Sequence, residues 1–127
     1  NAVNNKHEDR AVEYYKKALM CGLEDPKVYW EFSGLLAKLE KTEEALELCE
    51  KVLSLEPQNR DVLMLKVNLL LRLKSVEKKK EAIRILRKLV RVTPKDRELR
   101  QRLAVELHNQ KKYKEAERHF QLLLKGE

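Results

Sequence analysis

Apolar residues along this chain recur every three or four positions, the spacing that lines one face of a helix. Within that pattern Ala11, Ala45, Ala82 and Ala116 are separated by 34, 37 and 34 residues, each about one turn into an amphipathic stretch. A period of this length marks a helix-turn-helix repeat array. The small residue belongs where the two helices of a hairpin approach closely, because a larger side chain there would push them apart. Four residues after each alanine comes Tyr15, Cys49, Leu86 or Phe120, and three further on Ala18, Val52, Leu89 or Leu123. Pro57 and Pro94 fall where a second helix should end.

The pattern predicts seven helices. Residues 1–5 read as the end of a preceding helix and Glu8 to about Gly22 as its partner. Asp25-Pro26 supplies an N-cap and a first helical residue for a helix to about Leu39. Thr42, followed by Glu43 and Glu44, is expected to cap the next, which ends near Leu55. A further helix runs from about Asn59 to Leu73. The three residues that stretch the central spacing fall within 74–80, in the turn or at the start of a helix ending near Val92. Thr93-Pro94-Lys95-Asp96 is similar to a capping box opening a helix to about Asn109. The last runs from about Lys112 to Lys125, with Gly126 as its stop.

These residues resemble the tetratricopeptide repeat family over nearly the whole chain. Its first-helix pattern of an aromatic, Leu-Gly and a large apolar residue is matched by Tyr29, Phe32, Ser33 and Leu36. Leu103, Ala104 and Leu107 match it in the last repeat, with Arg100 in the aromatic's place. The middle repeat allows two registers, Leu63, Lys66, Val67 and Leu70 or Val62, Leu65, Lys66 and Leu69. The resemblance implies an all-α, right-handed superhelical array of antiparallel helix pairs. Its divisions are a second helix of an incomplete repeat (1–25) and repeats at 26–57, 58–93 (with the three-residue insertion) and 94–127. All are expected to form one domain, a fragment of a longer array.

The resemblance also implies a non-catalytic scaffold that binds a peptide or helix of acidic-amphipathic character in its concave groove. Groove positions map to Trp30, Met64, Asn68, Leu71 and Arg72, and then to Gln101, Arg102, Val105, His108 and Asn109. The apolar residues would form a floor, the amides would bond a peptide backbone, and the two arginines would pair with acids. Co-chaperones of this family clamp a C-terminal carboxylate with Lys, Asn and Arg. The corresponding positions here are Trp30, Gly34, Leu65, Glu98 and Arg102, and only the last agrees, so that clamp is not expected.

Charge adds a second candidate. Residues 1–57 hold 8 basic and 12 acidic residues, and residues 58–127 hold 20 and 9. Lys80, Arg84, Arg87, Lys88 and Arg91 lie along one helix face opposite Ala82, Leu86 and Leu89. RNA or another polyanion is the alternative ligand of this basic half. It is disfavoured because aromatics for base stacking are scarce there. Catalysis, cofactors and metals are not expected. Three isolated glycines make no phosphate loop, His7, His108 and His119 belong to three different helices, and the carboxylates lie beside Lys or Arg at solvated ion-pair spacing. His7 and His119 read as surface residues. Cys21 and Cys49 lack metal-ligand spacing, and Cys49 falls at a core position as a buried reduced thiol. No apolar run approaches the roughly 20 residues of a membrane span. An intracellular, cytoplasmic protein is expected, with a nuclear location open. The apolar stripes at both ends predict weak self-association.

Overall fold

Three short polar side chains set the phase of the fold. The structure, a computed structural model, describes the backbone of residues 2–126 and the side chains of residues 7–126. Asp25 accepts the Lys27 N–H at 2.9 Å, Asn59 the Val62 N–H at 3.2 Å and Asp96 the Leu99 N–H at 3.0 Å. Each N-cap opens a helix of 13 residues: α2 (Pro26–Lys38), α4 (Arg60–Arg72) and α6 (Arg97–Asn109). The others are α1 (Ala2–Met20), α3 (Thr42–Leu55), α5 (Val76–Val92) and α7 (Tyr113–Leu124). No strand occurs among the described residues.

Residues up to Leu73 form one compact unit and those from Lys74 a second. In the first, α2 and α3 pair as a hairpin, α4 packs on α3 and touches α2, and α1 lies on α2. Ala45, Cys49 and Val52 of α3 are fully buried against Tyr29, Phe32 and Leu36 of α2 and Val62 and Leu69 of α4. Tyr15 of α1 stacks on Phe32 with ring centroids 5.2 Å apart, and its hydroxyl donates to Glu31 Oε2 at 3.3 Å. In the second unit α6 packs against both α5 and α7. Ala82 and Leu86 of α5, Leu103, Ala104 and Leu107 of α6 and Ala116 of α7 are buried there.

The Asn59 cap resolves the register of α4. It puts Leu63, Lys66, Val67 and Leu70 at the places that Tyr29, Phe32, Ser33 and Leu36 hold in α2. Val67 and Leu70 are buried, but so are Val62 and Leu69, which is why the pattern read both ways. Lys66 stands where Phe32 and Leu103 stand. Its stem is covered while its ammonium meets Glu50 on α3.

Several expected details differ. No break precedes Glu8: α1 is continuous from Ala2, while Asn1 lies outside the described residues. Thr42 is the first residue of α3 and not its cap, because Lys41 occupies the cap position without a side-chain bond. Thr93 does not start a capping box either: its hydroxyl donates back to the Leu89 carbonyl at 2.8 Å, and Asp96 caps instead. The residues added to the central spacing lengthen α5 and leave its turn unchanged. Three residues separate α4 from α5, as they do α2 from α3 and α6 from α7, whereas α5 has 17 residues against 14 in α3. Gln110, at the end of α6, donates to the Lys79 carbonyl in the added turn at 3.0 Å.

Those three matching turns share a left-handed residue, Glu40 (φ 63°), Lys74 (φ 56°) and Lys111 (φ 65°). At Glu40 and Lys111 it closes a Schellman pair: Glu40 N–H on Ala37 O with Lys41 N–H on Leu36 O, and Lys111 N–H on His108 O with Lys112 N–H on Leu107 O. A side chain at positive φ costs roughly 1 kcal/mol that glycine does not incur. Lys111→Gly is therefore expected to stabilise the fold by about 0.5–1 kcal/mol, read as a raised urea midpoint at unchanged slope. A lowered midpoint would contradict this account of the turn.

Candidate peptide-binding faces

In the first unit, positions one turn apart on α2 put Trp30 and Gly34 on the same exposed face. Trp30 is 37% exposed, and a Cβ added at Gly34 would meet nothing within 4 Å. Gly34 has negative φ within the helix and is not required by close packing, although glycine there costs about 1 kcal/mol relative to alanine. The result is a notch beside an exposed indole. Next to it a cleft of about 330 Å³ runs between the starts of α2 and α4, lined by Trp30, Lys27, Asp25, Glu56, Asn59 and Asp61 among others. Three carboxylates against one ammonium make this cleft suited to a basic or amide side chain.

Further along the same unit, Met64, Asn68 and Leu71 of α4 are partly buried. Arg72 Nη1 donates to the Ala37 carbonyl of α2 at 2.9 Å. That bond gives the Ala37 carbonyl, already bonded by the Glu40 N–H, a second donor and fastens the end of α4 to α2. In the second unit Gln101, Val105, His108 and Asn109 are exposed on α6 and Arg102 is partly buried. The His108 ring meets Tyr113 edge-on, with centroids 5.1 Å apart.

The basic face of α5 is not uniform. Lys80, Arg84, Lys88 and Arg91 are exposed, but Arg87 is turned toward α7. Its Nε donates to Glu115 Oε2 at 2.8 Å and its Nη2 to Glu115 Oε1 at 2.7 Å, a two-point pairing. The Arg87 hydrogen bonds hold the Glu115 carboxyl below its ordinary range, against the opposing effect of burial. His119 is not a plain surface residue. It is partly buried, and Arg100 Nη1 lies 3.1 Å from its Nδ1. Arginine only donates, so Nδ1 accepts and the neutral ring carries its proton on Nε2. Burial first, then the Arg100 charge, pushes the imidazole below its usual range. Arg100 stands at the aromatic position of α6, and its Nη2 also donates to the Pro94 carbonyl at 2.9 Å.

Cys49 is buried, as its core position predicts, and Cys21 lies exposed in the turn after α1. Burial pushes the Cys49 thiol up to about 11, with the neighbouring Ser33 side chain acting the other way. Among the described residues no group of three His, Cys, Asp or Glu is placed to hold a metal, and no helix is long and apolar enough to cross a membrane.

The packed pairs α2–α3 and α6–α7, each with a buried alanine in its second helix and an αL residue in its turn, define a tetratricopeptide-type fold. The sequence profile of the cytochrome c-type biogenesis protein H TPR domain matches residues 18–126, and the chain belongs to that family. Among solved structures it is similar to YrrB, a TPR protein with an unusual peptide-binding site, at 25% identity and a TM-score of 0.72. That superposition covers 93% of this chain and 59% of YrrB. Two structures of MamA, both 21% identical, superpose with TM-scores of 0.76 and 0.69 over 94% of this chain and 65% and 67% of theirs, a likeness of fold. The chain thus spans about three fifths to two thirds of these relatives. No curated protein matches significantly.

Two outcomes follow from this chemistry. A thiol reagent at neutral pH is expected to label Cys21 at once and Cys49 only on unfolding; rapid labelling of both would show that the α2–α3 core opens readily. A double-mutant cycle on Arg87 and Glu115 should give a coupling of roughly 1 kcal/mol. Because the Glu115 carboxyl titrates below its ordinary value, the coupling should be full above the ordinary carboxylate range. It should disappear as pH falls through the lowered value. A coupling that persists in strong acid would contradict the assignment.

Proposed function

We propose that this chain is a non-catalytic protein-binding module that holds a peptide or helix of a partner protein against α2 and α4, with Trp30 as the anchor. The observation that carries the reading is the open notch at Gly34 beside the exposed Trp30. An exposed indole next to a glycine with no packing duty is a place where a partner side chain can lie flat on α2. Tryptophan is prominent among residues that dominate binding energy. Met64 and Leu71 supply apolar contact on α4, and the carboxylates near Trp30 favour a basic or amide group at that end of the peptide. The family's description supports a partner from cytochrome c-type biogenesis, and the description of YrrB as peptide-binding supports the class of ligand. A second reading, capture of RNA or another polyanion, rests on exposed Lys80, Arg84, Lys88 and Arg91.

The chain has one tryptophan, so Trp30 fluorescence reports directly on this face. Partners recovered by affinity capture are expected to shift that emission. Trp30→Ala should weaken their binding by about 2 kcal/mol or more. Gly34→Ala should stabilise the helix by about 1 kcal/mol, and Gly34→Leu should keep the fold while blocking the partner. Full binding by both Trp30→Ala and Gly34→Leu would exclude this face. A steep loss of affinity with salt that shrinks on neutralising Lys80, Arg84 and Lys88 would favour the polyanion reading instead.

A further inference from the structure

The second unit carries a cleft that the groove positions do not include. Within it, Arg87, Val90 and Arg91 recur at helical spacing on one face of α5, and Glu115, Arg118, His119 and Leu122 do so on one face of α7. Both helices pack on α6, and in the space between them a cleft of about 340 Å³ opens with Leu103 of α6 in its lining. The pairing of Arg87 with Glu115 spans the gap between the helices and consumes both partners. Arg91 and Arg118 are exposed and have no ion-pair partner among the described residues. Besides His119 the rest of the lining is apolar: Val90 and Leu103 are buried beneath it, and Leu122, 40% exposed, offers the open apolar surface.

We propose that this cleft between α5 and α7 receives an acidic segment of a protein partner, an aspartate or glutamate carboxylate taken by Arg91 and Arg118 with a neighbouring apolar side chain on Leu122. The site shares no residue with the α2 and α4 face and does not depend on it. Charge complementarity selects the occupant. Two unpaired guanidiniums suit a planar carboxylate at two points. The Glu115 carboxylate already in the lining opposes any anion, a doubly charged phosphate more than a carboxylate. No Phe, Tyr or Trp lines the cleft to stack a base. The apolar lining gains from a hydrophobic neighbour, which a polyanion does not bring.

His119 gives the site a second readout. It is faced by Arg100 from α6, Arg87 from α5, and Glu115 and Arg118 on its own helix, with Arg91 lining the same cleft. Unliganded, burial and the surrounding guanidiniums favour the neutral ring. A carboxylate in the cleft offsets those charges and favours the imidazolium, so binding takes up a proton and strengthens as pH falls.

The test is fluorescence anisotropy with a short labelled peptide alternating aspartate and leucine, compared with its asparagine and phosphoserine counterparts and a single-stranded RNA of equal length. The aspartate peptide is expected to bind at least about tenfold more tightly than the asparagine peptide. Arg91→Glu and Arg118→Glu should each weaken it about tenfold or more, and Lys80→Glu, on α5 but outside the cleft, less than about twofold. Arg118→Gln, which removes the charge without reversing it, should give a smaller loss in the same direction. Affinity should rise about threefold between about pH 7.5 and about pH 6, and His119→Gln should flatten that rise while binding persists. Equal losses from Lys80→Glu and Arg118→Glu would overturn the proposal. So would failure of the aspartate peptide to bind, or tighter binding of the RNA or the phosphoserine peptide.

Discussion

Close approach of helix backbones at alanine is the constraint on which the rest of this structure depends. Ala45, Ala82 and Ala116 are buried to within one per cent, each at the third residue after the helix start or, in the lengthened α5, one turn further in. A methyl group lets neighbouring helices come close enough for the large side chains on either side to interdigitate. In the first unit those side chains are Tyr29, Phe32 and Leu36, and in the second Leu86, Leu103 and Leu107. A larger group at any of these alanines would separate the pair and lose contacts along its whole length.

Phase along the chain is then set by two local devices. Asp25, Asn59 and Asp96 start α2, α4 and α6 at fixed points by accepting backbone N–H groups. Glu40, Lys74 and Lys111 end them with a left-handed residue, after which the chain turns into the next helix. The helices between fixed starts and fixed ends are all of one length, so the exposed positions recur in the same phase on each. Trp30 and Gly34 on α2 therefore correspond to Met64 and Asn68 on α4. The extra residues between Ala45 and Ala82 leave the turn at three residues. They add to α5, where Gln110 secures the added turn through the Lys79 carbonyl.

Departures from the repeat pattern coincide with polar contacts. Ser33 replaces the small glycine and, fully buried, gives its hydroxyl to the Trp30 carbonyl at 2.8 Å. Lys66 replaces a large apolar residue and reaches Glu50. Arg100 replaces an aromatic and joins the Pro94 carbonyl to His119. Each substituted group meets its own hydrogen-bond need within the unit, as a covered polar group must. Arg100 has the widest effect, since it sets the tautomer of a histidine that lines the α5–α7 cleft.

Helix number, the Asp25 and Asn59 starts and the stop at Gly126 were legible in the chain because each depends on residues within a turn or two of one another, and the buried Ala45, Ala82 and Ala116 because they recur with the repeat, whereas Ala11 is only half-buried. The exposed Trp30 was legible too, since position on a helix face follows from spacing once the start is known. The register of α4 was not, because Val62, Leu65 and Leu69 continue the apolar stripe around the helix and leave periodicity without a single face. Nor were the fates of the arginines. A guanidinium at the end of a long side chain has a wide reach, and which acceptor it meets depends on what packing brings near it. Arg72 meets a carbonyl of α2, Arg87 a carboxylate 28 residues away, and Arg100 a ring nitrogen 19 residues away. Sequence spacing places charges on a face; only the packed helices determine which are consumed by partners and which, like Arg91 and Arg118, remain open to a ligand.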